Sequence, residues 1–317
     1  MDLAPRPKIK IMNITKTRQY HIDIAKGIAI ILMVIGHSRL PAYPQNWIFS
    51  FHMPFFFLIS GVLTDWSRGN FKEFIESKAK GLLVPFSIYS LMVIALAPLW
   101  SNMSIIECAE QVFCKGWGDL AFWFVPVLFI ALIIIRLVMT LKNNIIISVV
   151  LVAGIIYLNF HNVVMLDWQL HAVLPSTLFV MIGALCSKWI KSLPKYKIIY
   201  VCIVVTPLSL IAPLVSHVDL AHARITPMIP GTICALAGSI LLLCISLYIS
   251  KLPERYNQWL IAIGRNTFVV LAFSQIVIMA LNRNLPQLGG AKYIALILFS
   301  IGIVFGKNRI VRLFYSK

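Results

Sequence analysis

Runs of about twenty apolar residues recur along the whole chain, and no other feature restricts the fold so severely. Such a run matches the roughly 30 Å hydrocarbon core of a bilayer. Ten can be marked, at 24–40, 47–64, 82–100, 121–141, 145–160, 170–187, 198–215, 228–250, 258–281 and 291–306. A soluble core has no room for so many wholly apolar helices. Residue usage agrees, with 60% hydrophobic and 12% charged, where soluble domains carry about 25% charged residues. The expectation is an all-α, polytopic bundle of about ten transmembrane helices. It forms a single membrane-embedded domain over residues 1–317, with no repeat, low-complexity tract or appended soluble domain.

Charge placement supplies a topology. Residues 1–22 are polar and basic, and Arg39-Leu40-Pro41 after the first apolar run does not resemble a signal-peptidase site. The first run is therefore read as a retained helix. With ten spans and the N-terminus inside, the inner segments hold 21 Lys and Arg residues and the outer loops five. That asymmetry is the positive-inside pattern, and it puts both termini in the cytoplasm, as a basic segment 1–22 and a tail 307–317. It also accounts for the net charge of +17 without nucleic acid. The inner basic residues are expected to meet anionic lipid headgroups.

Cys186, Cys202, Cys234 and Cys244 lie in apolar runs, where thiols act as small hydrophobes. Cys108 and Cys114 share one outer loop and are the one pair that spacing offers as a disulfide. No C-x-x-C motif or zinc spacing occurs, so no metal is expected.

Ionisable residues inside spans are costly and point to function. The first span has three: Asp23, Lys26 and His37. Eleven residues at 100° each bring Lys26 and His37 within about 20° on the helix wheel, with Asp23 one turn earlier. The stripe Asp23, Lys26, Ile30, Met33, His37 should face the bundle interior. Asp23 and Lys26 could equally be an interfacial ion pair with a snorkelling lysine, and His37 a satisfied interfacial histidine. The second span contains Phe51-His52-Met53-Pro54-Phe55-Phe56-Phe57. Its proline frees a backbone carbonyl and can kink the helix near His52. The short 41–46 connection makes these helices antiparallel neighbours, with the two histidines at similar depth. Histidine suits general base chemistry because its ordinary pKa lies near neutrality. Phe55, Phe56 and Phe57 read as lipid or core packing. Trp123 opens the fourth span, where an aromatic belt accounts for it. Arg265 lies in Gly264-Arg265-Asn266-Thr267 near the inner face and pairs with phosphate or adds to the charge bias. Outer loops hold His161, His171, His217 and His222, with Asp167, Trp168, Asp219 and Arg224.

Three stretches resemble the acyltransferase family 3 membrane proteins, most closely the branch of fucose 4-O-acetylases. They are Asp23-Ile24-Ala25-Lys26-Gly27 running to Gly36-His37, then Phe51 to Gly61, then Trp123-Phe124-Val125-Pro126. Leu82-Leu83-Val84-Pro85 and Gly264 to Thr267 add weaker matches, and the likeness covers nearly the whole chain. Three positions depart from the family pattern: Lys26 where Arg is common, Ser274 where many members have His, and Gly81 where a basic residue is common. Lys keeps the charge at 26 but loses the bidentate fork.

The resemblance implies O-acyl transfer to carbohydrate at the outer face of the bacterial cytoplasmic membrane, with acetyl-CoA as co-substrate. The Lys26-to-His37 rise is about 16 Å, comparable to an extended phosphopantetheine arm. On this reading Lys26, Asp23, Lys78, Lys80 and Arg265 form the donor site, and His37 and His52 are catalytic. Trp123, Trp168, His222 and Arg224 meet the acceptor, a surface polysaccharide or lipid-linked sugar. A proton-coupled transporter would use intramembrane Asp, Lys and His in the same way. A flippase would need basic patches at both faces but no thioester chemistry. A non-catalytic membrane subunit would tolerate loss of His37. Acetylation of a glycan, as against its uptake, separates these classes.

Overall fold

The computed structural model describes residues 19–97, 101, 103–116, 121–140, 145, 149, 152–155, 166–193, 198–284 and 289–315. The fold is a bundle of helices with one short hairpin. The helices are α1 (Tyr20–Gly36), α2 (Ala42–Leu63), α3 (Phe71–Ala95), α4 (Ile105–Phe113) and α5 (Phe124–Thr140). They continue as α6 (Val173–Leu185), α7 (Ser187–Ser192), α8 (Ile198–Val215), α9 (Met228–Ile249), α10 (Glu254–Arg265), α11 (Thr267–Asn284) and α12 (Ala291–Tyr315). Among the described residues six helices are long and apolar enough to cross a membrane, and seven if α10 and α11 count as one bent span. The expected span at 145–160 lies mostly outside the described residues, as do the basic residues before position 19, Lys142, His161, Lys195, Lys197 and Lys317.

The bundle is organised around α1, which packs against α2, α9, α10, α11 and α12. Its polar stripe is turned inward: Asp23, Ile30 and Met33 are buried and Lys26 is half-buried. Small residues allow the closest crossing. A Cβ on Gly27 would strike the Leu260 carbonyl of α10, and one on Gly264 the Asp23 carbonyl of α1. That approach brings Arg265 beside Asp23.

Three features differ from the sequence expectation. The third span begins eleven residues before position 82, because Asn70 and Glu73 form a reciprocal capping box and the chain runs through a π turn at Ala79–Leu83. The polar first part carries no hydropathy signal, so only its apolar continuation was visible. The single span expected at 258–281 is two helices bent by 82°. Asn266 breaks the helix at φ −120° and ψ 30°, and its side-chain amide returns to the Ala262 carbonyl at 2.9 Å. Between α8 and α9 the chain forms an antiparallel hairpin, β1 (His217–Asp219) with β2 (Arg224–Thr226), where only a loop was expected. Val218 and Ile225, paired across it, are buried in a core cluster with Trp123 and Val173. This anchors the hairpin across the end of the bundle. Cys108 and Cys114 are both free thiols.

Candidate active site

Two cavities lie along α1, one at each end of its polar stripe. The first, about 580 Å³, is lined by His37 and His52 together with Phe49, Trp123, His217 and Asp219. The two catalytic candidates meet there, ring centroids 6.1 Å apart and edge to face. Phe49, three residues before His52 on α2, stacks obliquely on both rings at 5.1 and 5.2 Å.

Both rings are held the same way. His37 Nδ1 lies 2.8 Å from the Met33 carbonyl and His52 Nδ1 lies 3.0 Å from the Ile48 carbonyl. A carbonyl oxygen only accepts, so each Nδ1 carries hydrogen, and in the neutral ring the lone pair is on Nε2. The helix itself thus sets the tautomer of both histidines, without a carboxylate partner. His37, the C-cap of α1, is exposed to the cavity, whereas His52 is 5% exposed. Of the two, His37 is the one an entering molecule meets.

The hairpin roofs this cavity. Asp219 accepts from the His222 backbone N–H at 3.2 Å and binds His222 Nδ1 at 2.6 Å. His222 and Asp219 both line the cavity. Trp123 does so too, buried against Phe57 with centroids 6.5 Å apart, and so is not a belt residue exposed to lipid. His171 is fully used in holding the roof: its Nδ1 accepts from the Leu166 N–H at 3.0 Å and its Nε2 donates to the Ala221 carbonyl at 2.8 Å. Arg224 is exposed on β2 outside the lining, opposite Asp219. Trp168 is also outside it, packed 6.2 Å from Phe86, while its neighbours Asp167 and Gln169 face the cavity. Trp168 and Gln169 both adopt left-handed backbone, at φ 60° and 52°. Side chains other than glycine seldom hold that conformation, and such strain gathers at functional sites.

The second cavity, about 390 Å³, is lined by Lys26, Lys78, Ser60, Thr64 and Thr267 among apolar side chains of α1, α2, α3, α5 and α11. Lys26 Nζ lies 3.0 Å from one Asp23 oxygen, and Arg265 Nε 3.2 Å from the other. Asp23 is buried and joins the two cations. As an anion it repels phosphate, so its part in a donor site is to hold Lys26 and Arg265 in place. Lys78 donates to Thr64 Oγ1 at 2.9 Å and lies 5.3 Å from the Phe74 ring centroid. Lys80 is exposed and outside the lining. Lys307 had no place in the sequence reading of the site, yet it donates to Asn266 Oδ1 at 2.9 Å, beside Arg265 and Thr267. Phe49 has no place in that reading either, and Asp219 enters it only as an outer-loop residue without a role. Phe49 could have been found from its one-turn spacing to His52. No sequence signal marked Asp219 or Lys307 beyond their charge.

The arrangement therefore joins a pair of imidazoles at one end of a helix to a cluster of cations at the other. That is suited to moving a group between a polar acceptor and an anionic carrier. Residues 19–308 match the acyltransferase domain family. Nodulation protein NolL of Mesorhizobium japonicum is 30% identical over 144 residues, a stretch that is 41% of this chain and 38% of that protein. The chain thus aligns with well under half the length of this curated relative. No solved structure matches. With nearly its whole length inside the family, the chain belongs to the acyltransferase domain family, and its long apolar helices make it a multi-pass membrane protein.

Proposed function

We propose that this enzyme moves an acetyl group from cytoplasmic acetyl-CoA, held in the lysine cavity, to a hydroxyl of a cell-surface sugar held in the histidine cavity. One observation carries the proposal: the two cavities lie end to end along the α1 stripe, cations at one end and histidines with free Nε2 lone pairs at the other. Lys26 and Lys78 pair with the CoA phosphates, with Arg265 and Lys307 at the bend beside them. The pantetheine arm follows the stripe for about 16 Å, bringing the thioester to His37.

In the reaction, His37 Nε2 takes the proton of the sugar hydroxyl as its oxygen attacks the thioester carbonyl. The C–S bond breaks, and the CoA thiolate recovers the proton from the imidazolium. The products are an O-acetyl sugar and CoA thiol, with no net proton gained or lost. His52 offers a second lone pair to the same space and accepts from a neighbouring hydroxyl of the sugar, which orients the ring. Direct transfer needs the fewest steps. The acceptor is a surface polysaccharide unit or a lipid-linked sugar, and the likeness to fucose 4-O-acetylases supports both the acetyl group and the sugar. His222, held by Asp219, and Trp123 contact it, with Arg224 and Trp168 at its approach. Positive-inside bias supports a cytoplasmic lysine end and so a ten-span topology in the bacterial inner membrane, where lipid headgroups meet the inner basic residues.

The test is incubation of purified, reconstituted protein with labelled acetyl-CoA and the surface glycan of its source. Label in the glycan is expected. Binding or passage of the glycan with acetyl-CoA left intact would overturn the proposal.

A further inference from the structure

The residues between the cavities have a simple pattern. Met33 and Met53 line both, and no other described residue does. Met33 lies on α1 one turn before His37, whose Nδ1 its carbonyl accepts, and it is 1% exposed. Met53 follows His52 on α2. The two belong to different packing groups: Met33 is buried in one core cluster, and Met53 lies partly buried against another. The lining shared by the two cavities thus draws one methionine from each of two cores. Each methionine has three rotatable bonds and an unbranched thioether, so its tip moves without backbone movement. Met33 is lightly latched, with the amide of the buried Gln275 4.0 Å from its sulfur, a weak acceptor.

We propose that Met33 and Met53 form a side-chain septum that the acyl-thioester end of the donor parts on its way to the histidines, and that the gap between them limits the acyl chain length accepted. The inference rests on the reading that the donor lies in the lysine cavity. A thioester reaching His37 from there meets these two side chains, because they are the lining shared by the two spaces. Two unbranched side chains yield to a narrow pantetheine arm and close when it leaves. They leave little room for carbons beyond acetyl beside the rings of His37 and His52. Closed, the septum keeps the two aqueous ends of the bundle apart. Ordinary core methionines would fill space equally well but would have no reason to govern donor length.

The test compares acetyl-CoA, propionyl-CoA and butyryl-CoA as donors for wild type, Met53→Ala, Met33→Ala and Met53→Trp in reconstituted membranes. The alanine variants should raise the butyryl-to-acetyl ratio of kcat/KM by about tenfold or more, the scale set by one methylene in a closed apolar space. Met53→Trp should lose transfer from every donor while still binding CoA. Because Met53 is only partly buried, its variants carry the test if Met33→Ala does not fold. An unchanged ratio in Met53→Ala, or wild-type acetyl transfer by Met53→Trp, would overturn the septum while leaving the donor site standing. If wild type transfers acetyl from no acyl-CoA, the donor site itself is wrong, and that outcome is distinct.

Discussion

The two ends of α1 solve opposite problems. At the histidine end the walls are Asn46, Gln111, Asp219 and His222 beside aromatic rings, a surface able to hydrogen-bond a polyhydroxyl ligand while its rings cover a sugar face. At the lysine end a few cations and hydroxyls stand among Ile30, Phe56, Leu128, Leu132 and Leu271, a surface suited to a long chain with a charged head. The histidine end holds its rings by hydrogen bonds within single helices. The lysine end keeps its charges by pairing them, Asp23 with Lys26 on α1 and with Arg265 across to α10. A buried charge left without a partner is far costlier than a neutral ring, so the cations need the carboxylate and the histidines do not.

Mutation of the two ends should therefore separate into chemistry and binding. The largest effect is expected at His37. His37→Ala should cut turnover by about 10²- to 10⁴-fold, the contribution of a positioned general base, at equal expression and with donor KM little changed. Near-wild-type acetylation would remove it from the chemistry. Next, Lys26→Ala should raise KM for acetyl-CoA about tenfold and leave acceptor KM alone, while Lys26→Arg retains the charge and most of the activity. A raised acceptor KM with an unchanged donor KM would reverse the assignment of the two ends.

Asp23→Asn tests the pairing directly. If Asp23 only holds cations, the variant should lose less than Lys26→Ala in donor KM and should lose thermal stability as well. Activity loss equal to that of His37→Ala would mean that Asp23 acts in the chemistry. His222→Ala should have a smaller effect, a rise of a few-fold in acceptor KM, because a half-exposed hydrogen bond contributes about 1 kcal/mol. Arg224→Ala and Lys80→Ala, whose side chains lie outside both linings, should change either KM less still.

How much of this was legible in the sequence depends on the kind of signal. The spans were visible because lipid demands an apolar run of fixed length. The stripe from Asp23 to His37 was visible because helical geometry converts spacing into direction. Motif positions brought His37 and His52 together, and a short connection gave the reason, though it lies at residues 37–41 rather than 41–46 because α2 already begins at Ala42. What failed to show was direction outside regular helices. Arg224 on a short strand, Trp168 in a left-handed turn and Lys80 in a π turn are close in sequence to cavity residues, yet their side chains lie outside the linings, because none of these irregular segments has a spacing that sets direction. The hairpin at His217–Thr226 has strands of three residues, too short for alternation to register. The 82° bend at Asn266 sits inside a run that hydropathy reads as continuous. Met53 looked like one apolar residue among many, and its position in both linings is a property of the packed bundle.

The central claim is that donor and acceptor are held at opposite ends of one helix, on opposite sides of the membrane. It is tested most directly by sealed proteoliposomes with the glycan trapped inside, an equal amount outside, and labelled acetyl-CoA added only outside. Label should enter the trapped glycan, the external glycan should stay unlabelled, and His37→Ala vesicles should label neither. Label confined to the external glycan would place donor and acceptor on the same face and contradict the account.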